Sequence, residues 1–179
     1  MAESFDKTQE EVLQKWERAK NIYSEFRQIT IIAGAISTIC FVLLFIQVGQ
    51  TRDNNLETSL EAHYLMGYSI FILVFLSFAY FIASLIAFFS KKGPKSRGLA
   101  SFASIVIFAG SLIPFVMVRQ DPGFIIQYAY DYDYYDKLLN LPLEIWTLGL
   151  VILSFLNSVL FRYTIFLKNR MTALHGRLP

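Results

Sequence analysis

QITIIAGAISTICFVLLFIQVGQT, residues 28–51, is a run of 24 residues with no acidic, basic or histidine side chain. A helix crosses the hydrocarbon core of a bilayer with about 20 such residues. Three more stretches free of formal charge follow, residues 62–90, 98–118 and 145–161, which are 29, 21 and 17 residues long. The pattern predicts an all-α protein, an integral membrane bundle of four transmembrane helices with spans at about 28–49, 62–90, 98–118 and 143–161. The spans and their connections use nearly all of the 179 residues, of which 55% are hydrophobic and 16% aromatic. The chain therefore reads as a single membrane domain, 1–179, with no room for a separate catalytic domain. The polar first 27 residues lack the order of a secretory signal, so the first span is expected to stay in the mature protein.

Charge sets the expected orientation. Lys7, Lys15, Arg18, Lys20 and Arg27 precede the first span; Lys91, Lys92, Lys95 and Arg97 join the second to the third; Arg162, Lys168, Arg170 and Arg177 follow the fourth. Only Arg52, Arg119 and Lys137 fall on the other side, which carries eight acidic residues. By the positive-inside rule both termini face the cytoplasm or its topological equivalent. Which membrane this is stays open.

Working outward from the first span, Thr8 and Glu11 form a capping-box signature. Val12, Trp16, Ala19, Tyr23 and Phe26 then recur at alternating spacings of four and three, and Thr30, Ala33 and Ser37 carry the seam into the span. Residues 1–27 are expected to be a cytoplasmic amphipathic helix, and an unbroken seam suggests packing on something helical. The competing reading lays it on lipid headgroups, with Trp16 and Tyr23 as anchors. Gly49–Asn55 reads as a turn, Thr58 and Glu61 as a second cap, and Gly93–Pro94 as a tight hairpin. Pro114 is expected to kink the third span or free a carbonyl. Residues 119–142 form the longest connection, an outer loop rich in Tyr and Asp that is expected to be an ordered cap over the bundle. Residues 162–179 form a cytoplasmic tail.

The interiors of the spans carry no ionisable residue, whereas proton relays and ion-coupled transporters depend on them. His63 and His175 are expected on opposite sides of the membrane, so they cannot pair on one metal. Asp131, Asp133 and Asp136 are weak candidates for a divalent cation, without the glycine turn of a calcium loop. Cys40 has no second cysteine to pair with. No nucleotide, redox, zinc-protease or serine-hydrolase motif is present, and nucleic acid is not an expected partner. The expectation is no catalytic residue, no assignable cofactor residue and bound lipid. Packing residues are expected in the seam (Val12, Trp16, Ala19, Tyr23, Phe26), in a small-residue ridge (Ala79, Ala83, Ala87) and on one face of the fourth span (Ser154, Asn157, Ser158). The reading these support is a non-catalytic membrane subunit or scaffold of a larger complex, acting through helix packing with other membrane subunits and lipid. The alternative is a small homo-oligomeric channel with an acidic outer vestibule and a pore lined by Ser154, Asn157 and Ser158.

Overall fold

The computed structural model describes residues 2–51, 60–89, 94–120 and 143–176, with side chains over 10–48, 64–89, 95–120 and 143–176. These residues are helical, with no strand among them: α1 Ala2–Thr51, α2 Leu60–Phe89, α3 Pro94–Gln120 and α4 Leu143–His175. All four are long and apolar enough to cross a membrane, which suggests a multi-pass membrane protein.

α1 is one uninterrupted helix of 50 residues, about 75 Å long at the usual rise per residue. It starts six residues before Thr8 and continues through Gly49. Its first turns carry Glu3 and Asp6, the charge sign that the positive end of a helix dipole favours. α2 begins at Leu60; Thr58 lies outside the described residues. α3 opens on Pro94, a position where the missing N–H costs nothing and the fixed φ suits the first turn. Only residues 90–93 separate α2 from α3, so these two helices run antiparallel.

The packed pairs are α1 with α2, α2 with α3, α3 with α4, and α4 with α1. The helices thus close into a ring of sequence neighbours. One row of buried positions in each of α2 and α4 follows an alternation of three and four, with Ala83 and Phe88 on α2 and Ser158 and Leu167 on α4 buried beside it. In α4 the row is Leu143, Thr147, Leu150, Ser154, Asn157, Phe161 and Thr164; in α2 it is Met66, Ile70, Leu73, Ser77, Tyr80, Ser84 and Ala87. This average of 3.5 residues is the repeat that keeps one face of a helix against its neighbours over many turns.

The solvation pattern is inverted relative to a water-soluble bundle. Large apolar side chains point outward, among them Ile32, Phe75, Phe89, Phe102 and Phe166, each more than half exposed. Among the described residues twelve polar side chains point inward, including Thr30, Ser37, Ser77, Ser84, Ser104, Ser111 and Asn157. Such an outer surface suits hydrocarbon, where no water is at hand to satisfy polar groups. Most inward hydroxyls are satisfied locally. Ser77, Ser84, Ser104 and Ser111 each donate to the carbonyl three residues back at 2.7–2.8 Å. Thr30, Thr147 and Thr164 donate to the carbonyl four back at 2.7–2.8 Å.

α3 passes through Pro114 without ending. The ring removes the N–H that would bond the carbonyl of Gly110. A Cβ on Gly110 would stand 2.8 Å from Leu73 Cδ2, and Leu73 is itself buried. α2 therefore packs directly on the α3 backbone one turn before the proline. Replacing Gly110 with Val is expected to destabilise the bundle by about 1–3 kcal/mol through overpacking. Thermal unfolding in mild detergent measures this, and adding Leu73→Ala should restore part of the loss; an unchanged transition in Gly110→Val would refute the close approach.

Candidate functional site

The seam on α1 is covered by α4 of the same chain. Phe26 meets Tyr163 edge to face with centroids 4.9 Å apart, and the Thr30 and Thr164 hydroxyls are 2.8 Å apart. Asn157 Nδ2 donates to the Ala33 carbonyl at 3.3 Å. Nearer the termini, Trp16 lies 5.7 Å from the His175 ring, and Lys20 sits 5.0 Å from the indole centroid. Ala19 and Tyr23 are buried, while Val12, Trp16 and Phe26 are half-buried. The antiparallel register brings the last residue of α4 opposite Trp16. Residues 2–15 of α1 therefore extend beyond the end of α4.

The small-residue ridge on α2 divides. Ala83 and Ala87 are buried, whereas Ala79 is exposed on the outside of the bundle. A step of four residues advances 400° around an α-helix, so a ridge spaced only by fours turns away from a fixed neighbour by about 40° at each step. The inward row uses Ser77, Tyr80 and Ser84 at this level instead.

Ser154, Asn157 and Ser158 are all buried inside the chain's own bundle. With the Ser104 proton on the Ser101 carbonyl, Ser104 Oγ accepts from Ser158 Oγ at 3.3 Å, linking α3 to α4. Tyr80 reaches across the ring from α2, its hydroxyl 3.5 Å from the Asn157 carbonyl and its ring 5.9 Å from that of Phe161. Gly34 makes room for it: a Cβ there would meet Tyr80 Cε1 at 3.4 Å. Asn157 thus stands where α1, α2 and α4 meet. Its Oδ1 and the Ser154 hydroxyl are buried without a hydrogen bond.

At the end of the bundle that bears both chain termini, Lys168 Nζ donates to the carbonyls of Ala87 at 2.7 Å and Phe88 at 3.4 Å. These belong to the last turn of α2, which has no basic residue of its own. A cation at a helix C-terminus satisfies carbonyls that lack intrahelical partners and complements the dipole. Arg27 lies over the Phe89 ring at 4.9 Å, and Arg97 Nη1 donates to Asn169 Oδ1 at 3.4 Å. Near the opposite end, Arg119 and Glu144 tie α3 to α4 at 4.0 Å, an exposed pair of small energetic weight.

Asp131, Asp133, Asp136 and the whole Tyr/Asp-rich loop lie outside the described residues, as does the His63 side chain. Among the described residues no group of three His, Cys, Asp or Glu side chains is placed to hold a metal ion. Cys40 is a partly buried free thiol against the core. Sequence reasoning did not single out Tyr80, the Thr30–Thr164 pair or the gathering of Arg27, Arg97 and Lys168. The available signal was periodic: Tyr80 shares the inward row with Leu73 and Ala87, and Lys168 follows Phe161 and Thr164 at the same spacing.

The architecture defines a class, a four-helix bundle whose helices can each cross a membrane. In comparisons with protein-family models, curated proteins and solved structures, nothing matches this chain significantly.

The two hydroxyls carry two protons between them, so the Thr30–Thr164 hydrogen bond forms when one of the pair turns its proton from its own helix carbonyl to the other hydroxyl. A double-mutant cycle with Thr30→Val and Thr164→Val should give a coupling of about 0.6 kcal/mol, typical of interhelical hydrogen bonds in membrane bundles. Unfolding in mixed micelles reports it; strictly additive losses would mean that the contact contributes nothing.

Proposed function

We propose that this chain is a non-catalytic integral membrane subunit or scaffold, held in a bilayer by its four helices with both termini on the cytoplasmic or equivalent side. It acts by presenting helical surface to other membrane subunits and to lipid. The observation that carries this reading is the length of α1. Residues 2–15 continue past the end of α4 as an arm of about 20 Å, and the spacing that runs through Trp16 and Val12 extends along that arm to Phe5. Within the bundle the same spacing is where α1 meets α4, and among the described residues no other helix runs alongside the arm, so it offers this face to a partner. The positive-inside pattern supports the orientation. The outward apolar side chains support the bilayer setting.

The homo-oligomeric channel is less well supported. Its pore would need Ser154, Asn157 and Ser158 to face a gap between copies, yet each is buried within one chain. Liposomes containing this protein alone are expected to show no ion flux above that of empty liposomes. A flux that Asn157→Leu abolishes would establish the channel instead.

Extraction from native membranes in mild detergent, native-gel separation and mass spectrometry test the subunit reading. The full chain is expected to migrate with defined other membrane proteins. A variant lacking residues 2–15 is expected to keep its melting transition, with helix content lower only by those residues, but to lose those proteins. Recovery of the full chain as a lone monomer would overturn the proposal.

A further inference from the structure

We propose that the bundle end where α2 stops and α3 begins holds a phosphate-bearing anion between Arg27, Arg97 and Lys168, with the Tyr23 hydroxyl as a further donor. The three cations come from three different helices, α1, α3 and α4, and both Arg27 and Arg97 act electrostatically on Lys168. They also both act on Tyr23. Among the described residues no carboxylate pairs with any of the three; the ion pairs there are Lys15 with Glu11 and Arg119 with Glu144. The C-terminus of α2 beside the three cations is worth roughly half a negative charge, and Lys168 already occupies its carbonyls. Like charges gathered this way repel, and some anion is needed to offset them.

The donors are also left over. Arg27 Nε, Arg97 Nε and the Tyr23 hydroxyl are shielded from solvent and make no hydrogen bond of sound geometry, although the Arg27 guanidinium lies against the phenol. Tyr23 is only 6% exposed. Leaving such groups unmatched is costly, and the cost is greater for charged ones. Arg27, Arg97 and Lys168 themselves are only partly buried, so a ligand can reach them. A phosphate suits this arrangement better than a carboxylate does. Its tetrahedral oxygens can accept from donors converging from three helices, and guanidinium groups match phosphate geometry.

Two sources share this chemistry, a lipid headgroup and a soluble phosphate. Arg27 and Arg97 are the charges that directly flank the first and third charge-free stretches. If the bundle is embedded as proposed above, they sit at headgroup depth; only the lipid source rests on that reading.

The test uses the full-length protein, delipidated in a neutral detergent, with its melting transition followed during titration. One arm adds inorganic phosphate and the other adds mixed micelles of phosphatidylglycerol, with phosphatidylcholine as the zwitterionic comparison. Saturable stabilisation is expected in at least one arm. Arg27→Gln with Arg97→Gln is expected to weaken half-saturation about tenfold or more, the scale of one lost charge-assisted hydrogen bond. Arg162→Gln with Arg170→Gln removes equal charge from exposed positions near the same end and should leave half-saturation unchanged. Tyr23→Phe keeps the ring and all three cations, and should weaken binding by a few fold even if the arginine variant fails to fold.

A response to phosphatidylglycerol alone identifies a lipid headgroup, and a response to inorganic phosphate identifies a soluble ligand. No saturable response from the unmodified protein, or equal losses in the two arginine pairs, overturns the site. A phosphate response with no lipid response would keep the site and reject the lipid source. Purification as a lone monomer would reject the subunit reading without touching this one.

Discussion

The bundle depends on giving most inward polar groups a partner inside the protein while its outer surface stays apolar. Helical backbone meets most of that demand by itself, since each peptide group bonds within its own helix. The inward side chains meet the rest by economy: Ser77, Ser84, Ser104 and Ser111 return their hydroxyl protons to carbonyls one turn back. A serine satisfied in this way is small and nearly apolar to its neighbour, so it can sit in a tightly packed row. This explains how twelve polar side chains can occupy the interior of a four-helix ring without a wet core.

Given such rows, specificity comes from the few groups that bond between helices. The Thr30–Thr164 hydroxyl pair and the Asn157–Ala33 hydrogen bond fix α4 against α1. Ser104 and Ser158 fix α3 against α4. Gly110 sets how closely α2 can approach α3, by admitting Leu73 where a Cβ would stand 2.8 Å away. Tyr80 then bridges the interior to Asn157 and Phe161. Dispersion packing and a handful of directional contacts carry helix association where apolar solvent removes much of the hydrophobic drive.

The two ends of the ring differ in chemistry. The end that bears the chain termini gathers Arg27, Arg97 and Lys168 around the last turn of α2, with Trp16 and Tyr23 nearby on α1. It also launches the part of α1 that outruns its neighbour. Electrostatics and geometry thus concentrate what is chemically distinctive at one end, whereas the middle of the bundle is built for packing. An anion held by the cluster would link α1, α3 and α4 beside the last turn of α2.

Number and kind of elements among the described residues were legible without coordinates, because hydrophobic length and missing charge are local properties: four stretches between Arg27 and Arg162 suffice for four helices long and apolar enough to cross a membrane. The α1 seam was legible too, since alternating steps of three and four from Val12 to Ser37 can mean only one helical face. What covers that face was not, because periodicity reports that a face is buried and never by what; the structure shows α4 of the same chain. The same limit explains Ala79, which shares a spacing with Ala83 and Ala87 but turns outward because steps of four drift around the helix. It explains the basic cluster as well: Arg27, Arg97 and Lys168 are separated by some 70 residues at each step, and only closing the ring brings them to one place. Composition and period by themselves determined the elements and their inward faces, while the pairing of faces and the meeting of distant charges were decided by the tertiary packing, where distance in space replaces distance along the chain.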